Sequence, residues 1–175
     1  MYLFKSKRLG FRNWTDRDIK PMTEICADPE VMRFFPSTMD EEQTAEMIEK
    51  FKTIFKEKGY TFYAVELLES KELIGFIGFS YTAFEGEFKP MVEIGWRLAK
   101  ACWNKGLATE GAQRCLDYAR ENLDFETVFS FTAVLNKPSE RVMQKIGMTF
   151  QKEFDHPRVE DGHKLKPHVL YKLNL

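Results

Sequence analysis

A strand that runs almost directly into a helix constrains this chain more than any other stretch. In Val92-Glu93-Ile94-Gly95-Trp96-Arg97-Leu98, alternation puts Val92, Ile94, Trp96 and Leu98 on one side and Glu93, Gly95 and Arg97 on the other. From Leu107 the period changes, and Leu107, Ala108, Gly111, Ala112, Cys115, Leu116 and Ala119 recur at helical spacing. Between them lies a short turn, with Gly106 just before the apolar run. A helix start exposes unpaired N–H groups and the positive end of the helix dipole, so this junction suits an anion, and Lys100 and Lys105 add positive charge.

Neither Gly-x-x-x-x-Gly-Lys-Ser/Thr nor Gly-x-Gly-x-x-Gly is present. The turn itself, Trp103-Asn104-Lys105-Gly106-Leu107-Ala108, resembles the pyrophosphate loop of the GNAT N-acetyltransferases, usually Gln/Arg-x-x-Gly-x-Gly/Ala. Trp103 replaces the Gln/Arg. A Trp there, followed by Gly-x-Ala-Thr-Glu, is similar to the RimJ/RimL-type branch, which acetylates protein N-termini and other amines. The order Arg8-Leu9-x-Phe-Arg-x-Trp-Thr-x-x-Asp18, then Asp28-Pro29-Glu30-Val31-Met32-Arg33-Phe34-Phe35-Pro36, resembles the same branch. An ordinary strand-turn-helix with a turn glycine is the alternative that the residues alone leave open.

Composition narrows the remaining choices. At 175 residues one domain spanning 1–175 is expected, and the 16 phenylalanines suit a packed mixed core. A net charge of -1 gives no reason to expect nucleic-acid binding. The three cysteines, Cys26, Cys102 and Cys115, have no framework spacing, and without a signal peptide the expectation is free thiols in the cytoplasm. No apolar run approaches the roughly 20 residues needed to span a bilayer, so no membrane is expected. A monomer or homodimer is anticipated.

Along the chain, residues 2–13 read as a first strand, and Thr15 as the cap of a helix that ends at Asp28-Pro29. A second helix is expected over 41–58, closed by Gly59. Strands follow at 61–68 and 72–81, the latter apolar on both faces as in a central strand, with Gly75 and Gly78 marking close packing or a bulge. Residues 82–90 look like a mobile loop. After the strand at 92–98 and the helix at 107–123 come a strand at 127–134, a short capped helix closed by Gly147, and strands at 149–154 and 168–174. This order is an α/β arrangement. The resemblance implies the same: an α/β (α+β) GNAT fold with a mixed, highly twisted seven-stranded sheet, four helices, and a gap between the fourth and fifth strands for the cofactor's pantetheine arm.

The resemblance also assigns chemistry. Acetyl-CoA is the implied co-substrate, with no metal. Its diphosphate would lie on backbone N–H groups of Trp103, Asn104, Lys105, Gly106, Leu107 and Ala108, with the Thr109 hydroxyl nearby. Its pantetheine would pair with the backbone of Trp96, Arg97 and Leu98. A bulge in that strand would aim a free N–H at the thioester oxygen, and Gly95 is the residue most able to permit it. Asn136 would contact the cofactor arm, and it begins an Asn-x-x-Ser. Many members carry a Tyr acid seven residues on, where this chain has Met143. In the RimJ/RimL branch the Ser takes that role, which makes Ser139 the donor to the leaving sulfur. A pair that only caps a helix is the alternative. Glu93 is the expected general base, or else a carboxylate paired with Arg97. Phe34 and Phe35, unless they are core, would line the acceptor site, with His156 at its border. The acceptor is a small-molecule amine or a protein N-terminus. The missing Tyr keeps a second function open, a catalytically silent CoA-binding sensor. The His-rich hairpin matches no zinc pattern, and Cys102 and Cys115 show no paired base.

Overall fold

The computed structural model describes residues 1–82 and 91–175, so most of the expected loop at 82–90 lies outside the described residues. The strands are β1 (Phe4–Lys5), β2 (Leu9–Arg12), β3 (Phe62–Leu67), β4 (Leu73–Thr82), β5 (Met91–Leu98), β6 (Thr127–Ala133), β7 (Thr149–Asp155) and β8 (Pro167–Asn174). The longer helices are α1 (Ile19–Ala27), α2 (Glu41–Lys58), α3 (Leu107–Asn122) and α4 (Lys137–Lys145). The sheet is eight-stranded in the order β1-β2-β3-β4-β5-β6-β8-β7. The difference from seven arises at the N-terminus. Residues 2–13 fold back on themselves as an antiparallel hairpin with Phe4 opposite Phe11, turned by Ser6, whose hydroxyl accepts from the Leu9 N–H at 3.1 Å.

The helices form where local signals and apolar stripes agree. Thr15 and Asp18 make a capping box ahead of α1, and Asp40 with Gln43 makes another at the start of α2. Gly59 ends α2 in the left-handed conformation at φ 76°. Trp14, Met22, Ile48, Phe51 and Phe76 pack α1 and α2 on one face of the sheet. Leu107, Ala112, Leu116, Met143, Ile77 and Ile94 pack α3 and α4 on the other. No helix among the described residues is long and apolar enough to cross a membrane.

Two features of the sheet position the site. β5 pairs β4 antiparallel without a register break, from Gly75 opposite Leu98 to Thr82 opposite Met91. The bulge expected in β5 at Gly95 is therefore absent there. An irregularity occurs one strand away, where Val65 of β3 faces Gly75 but Glu66 faces Leu73, which leaves Ile74 extra in β4. Gly75 has φ 132°, and a Cβ there would collide with the Arg97 carbonyl oxygen. On its other side β5 pairs with β6 in parallel, and among the described residues the only registered pair is Glu93 with Phe129. Beyond that point β6 continues beside β8, and β5 beside β4. A gap opens between their C-terminal halves.

Candidate active site

Strand β5 leads to the head of α3 through a 3-10 turn at Lys100–Cys102 and a tight loop. Asn104 and Gly106 both take positive φ, 58° and 74°, and fold residues 103–106 into a concave backbone before α3 begins. Among the described residues nothing accepts from the peptide N–H groups of residues 104–109; the next donor is Glu110, to the Gly106 carbonyl at 3.0 Å. The cradle is held from outside. The Arg8 guanidinium donates to the Lys105 carbonyl at 3.0 Å and to Glu110 at 2.6 Å, and Ser6 also donates to Glu110 at 2.7 Å. Trp103 Nε1 donates to the Leu98 carbonyl at 2.9 Å, tying the loop to the end of β5. An undersatisfied, positively polarised helix mouth is a physical fit to a diphosphate. Glu110 is thus a supporting residue that sequence reasoning missed, because its partners lie in the N-terminal hairpin.

Ladder alternation decides which groups of β5 face the gap. The Ala99 N–H donates to the Ile74 carbonyl at 2.9 Å, so Ala99 faces β4. Arg97, Gly95 and Glu93 follow it at two-residue steps, and the alternate residues Ile94, Trp96 and Leu98 turn their backbone outward. The Leu98 carbonyl, bonded to Trp103, is turned away from β4 accordingly. The backbone groups of Trp96 and Leu98 are thus the ones turned toward the gap. The backbone of Arg97 belongs to the β4 ladder instead, as does that of Gly95, and this corrects the expectation of a bulge that Gly95 would permit.

Side chains of Glu93, Gly95 and Arg97 share the face beneath α1 and α2. Glu93 accepts a hydrogen bond from the Thr82 hydroxyl at 2.8 Å, and burial pushes its carboxyl up to about 7. It makes no ion pair with Arg97. The Arg97 guanidinium instead reaches Cys26, Met39 and Met47, with Phe35 stacked 4.3 Å above it. Phe35 is 39% exposed. Phe34 lies 4.8 Å from the Arg33 guanidinium, which also covers Trp103 at 4.7 Å. Neither phenylalanine is buried in the core. A cavity of about 540 Å³ opens beside Met39 and Met47, lined also by Phe62, Ser80, Thr82 and Arg158 among others, though not by Phe34 or Phe35.

The other wall of the gap is the start of α4. Asn136 caps this helix, its carbonyl oxygen accepting from the Ser139 N–H at 3.3 Å while its amide donates to the Thr132 hydroxyl at 2.9 Å. The Ser139 side chain is half-buried in the first turn. Met143, one turn further, is fully buried in the core. His156 stands at the end of β7 with its ring 4.7 Å from His168 and 5.8 Å from Phe131. Burial, with the neighbouring His168 next, lowers it to about 4 and keeps it neutral at pH 7. Among the described residues no His, Cys, Asp and Glu group could hold a metal. Burial raises the thiols of Cys102 and Cys115, opposing a nucleophilic role.

A twisted mixed sheet split between parallel neighbours, with unaccepted N–H groups at the helix mouth beside the split, is an arrangement that fits an extended anionic ligand. Known sequences and structures agree. The model of the acetyltransferase (GNAT) domain matches residues 8–149. An uncharacterized N-acetyltransferase of Bacillus subtilis, YnaD, is 35% identical over 144 residues, covering 82% of this chain and 80% of that one. A GNAT-family acetyltransferase from Bacillus anthracis superposes with a TM-score of 0.81 at 28% identity, over 99% of this chain and 98% of the other. The ribosomal L7/L12 α-N-protein acetyltransferase RimL, solved with coenzyme A, shares the fold at TM-score 0.79 and 16% identity, over 100% of this chain and 98% of the other. The chain belongs to the GNAT acetyltransferase family.

Proposed function

We propose that this chain transfers the acetyl group of acetyl-CoA to a primary amine by direct attack, without an acyl-enzyme. The observation that carries this reading is the run of unaccepted N–H groups over 104–109, continuous with the outward backbone of Trp96 and Leu98. Residues 103–108, with the Thr109 hydroxyl, hold the diphosphate, and the β5 edge orients the pantetheine by β-augmentation. Asn136 steadies the arm from the opposite wall.

The thioester supplies an activated acetyl group, and this chain's residues handle the protons. Glu93, poised near neutrality, takes the proton that the attacking ammonium must lose, directly or through water. Ser139 donates a hydrogen bond to the departing sulfur. Because a thiolate is a fair leaving group, this donor need not be a strong acid, so Met143 in the family's Tyr position does not preclude turnover. Phe35, with Phe34 and His156 toward its edges, borders the acceptor side. The activity is a cytoplasmic one by this account, with a small-molecule amine or a protein N-terminus as acceptor.

The test is release of free thiol from acetyl-CoA across a panel of amines, with Ser139→Ala beside the native protein. The expected result is turnover with at least one amine, reduced about tenfold or more in kcat by the substitution with coenzyme A affinity little changed. Coenzyme A binding without turnover on any amine would favour the silent sensor instead.

A further inference from the structure

The Arg97 guanidinium is a half-buried cation that meets no carboxylate among the described residues. Its Nη1 donates to Cys26 Sγ at 3.3 Å, Met39 Sδ at 3.6 Å and Met47 Sδ at 3.8 Å, all weak acceptors. The rings of Phe35 and Phe76 lie 4.3 and 5.3 Å from it. Its Nε is buried and makes no hydrogen bond. Elsewhere the part-buried Arg12 has two carboxylates, Asp18 and Glu66. A half-buried cation left with sulfurs and ring faces has room for a counter-charge that the described residues do not supply.

The surroundings point to what brings it. Met39 and Met47, which touch Arg97, line the cavity of about 540 Å³. Thr82, which holds Glu93, lines the same cavity. Arg97 and Glu93 therefore stand behind different parts of one cavity wall. The cavity's remaining charged lining is Lys50, Arg158 and Glu46, which does not suit a polycation. Phe35 over the guanidinium is 39% exposed, so that side opens to solvent.

We propose that Arg97 is the specificity residue for the acceptor, and that the acceptor is a short peptide with a free C-terminal carboxylate. The outer Arg97 nitrogen, the one not turned to the sulfurs, receives the carboxylate, while the amine lies at Glu93. The two residues share one face of β5 four positions apart, about 13 Å along the strand. The amine and carboxylate of a single α-amino acid are too close together to serve both. A di- or tripeptide spans roughly 7–10 Å end to end, and the two side chains make up the rest. This inference rests on the acetyltransferase reading of the site.

The experiment compares trialanine with trialaninamide, leucine with leucinamide, and spermidine, as acceptors of acetyl-CoA. Thiol release gives kcat/KM, and melting in the presence of coenzyme A gives binding without turnover. The expected result is that trialanine exceeds its amide about tenfold or more, and that leucine shows no such gap. Arg97→Met removes the gap, chiefly through KM, and Arg97→Lys restores part of it. Coenzyme A affinity by calorimetry stays at the native value in both variants, and Arg97→Lys keeps the test open should Arg97→Met fail to fold. Equal use of acid and amide, preference for spermidine, a gap that survives Arg97→Met, or a parallel loss of coenzyme A affinity would overturn the assignment. Failure of trialanine both to react and to bind would overturn it as well. Amides turned over as well as acids would leave acetyl transfer standing and remove only Arg97. Trialanine that raises the melting temperature but never reacts would do the reverse.

Discussion

Glu93 carries an internal tension that an experiment can read. It is held among β4, β5 and the cavity wall by one hydrogen bond, from Thr82, and burial keeps it protonated up to about pH 7. An unfolded chain ionises the same carboxyl in the ordinary carboxylate range, so between that range and about 7 the unfolded state loses a proton that the folded state keeps. Folding stability therefore declines as pH rises through this window. In the proposed reaction Glu93 must be ionised to act as base, so turnover is predicted to climb over the same interval. Glu93→Gln is predicted to flatten both slopes: the acidic limb of the kcat/KM profile, with its midpoint near 7, disappears along with most of the activity, and the melting temperature at pH 8 rises relative to that at pH 5. An acidic limb that persists in the variant would move the base elsewhere. The alternating strand pattern places Glu93 on one face with Gly95 and Arg97, as the sequence suggests. Its environment was not legible, because Thr82 and the burial come from the sheet register.

At the scale of elements, periodicity and caps located nearly every helix and strand. Asp40 with Gln43 and the left-handed Gly59 bound α2 where they were expected. Positions that depend on a neighbour were not legible. The turn at Ser6 split the first strand, since a hairpin needs Phe4 to find Phe11 across it. The backbone irregularity fell at Gly75 in β4 rather than at Gly95 in β5, because both glycines permit it and the β3 register chooses. Splaying of β5 from β6 leaves no period in either strand. The Arg97 side chain gave no signal of its own, as its surroundings come from α1, α2 and the segment carrying Phe35. Gly75 offers the sharpest element-scale prediction. Its φ of 132° and its approach to the Arg97 carbonyl leave no room for a methyl group. Gly75→Ala is expected to cost roughly 2–4 kcal/mol of stability, read from the urea midpoint. A midpoint within error of the native value would mean that β4 relaxes without effect on β5.

The whole molecule joins two demands on one strand. One edge of β5 is locked to β4 over its full length, and the other is released from β6 after Glu93. Its end feeds the loop that opens α3, so the proposed anion site and the strand edge lie in one continuous run of chain. The α1 and α2 layer closes the opposite face, and α2 with the segment before it lines the cavity there. The most direct measurement is a titration of coenzyme A into isotope-labelled protein, followed by backbone amide shifts. The account predicts that the largest changes fall on residues 104–109 and on Trp96 and Leu98, with smaller ones at Asn136 and Ser139. Unmoved amides there, or a dominant set of shifts on another surface, would contradict it.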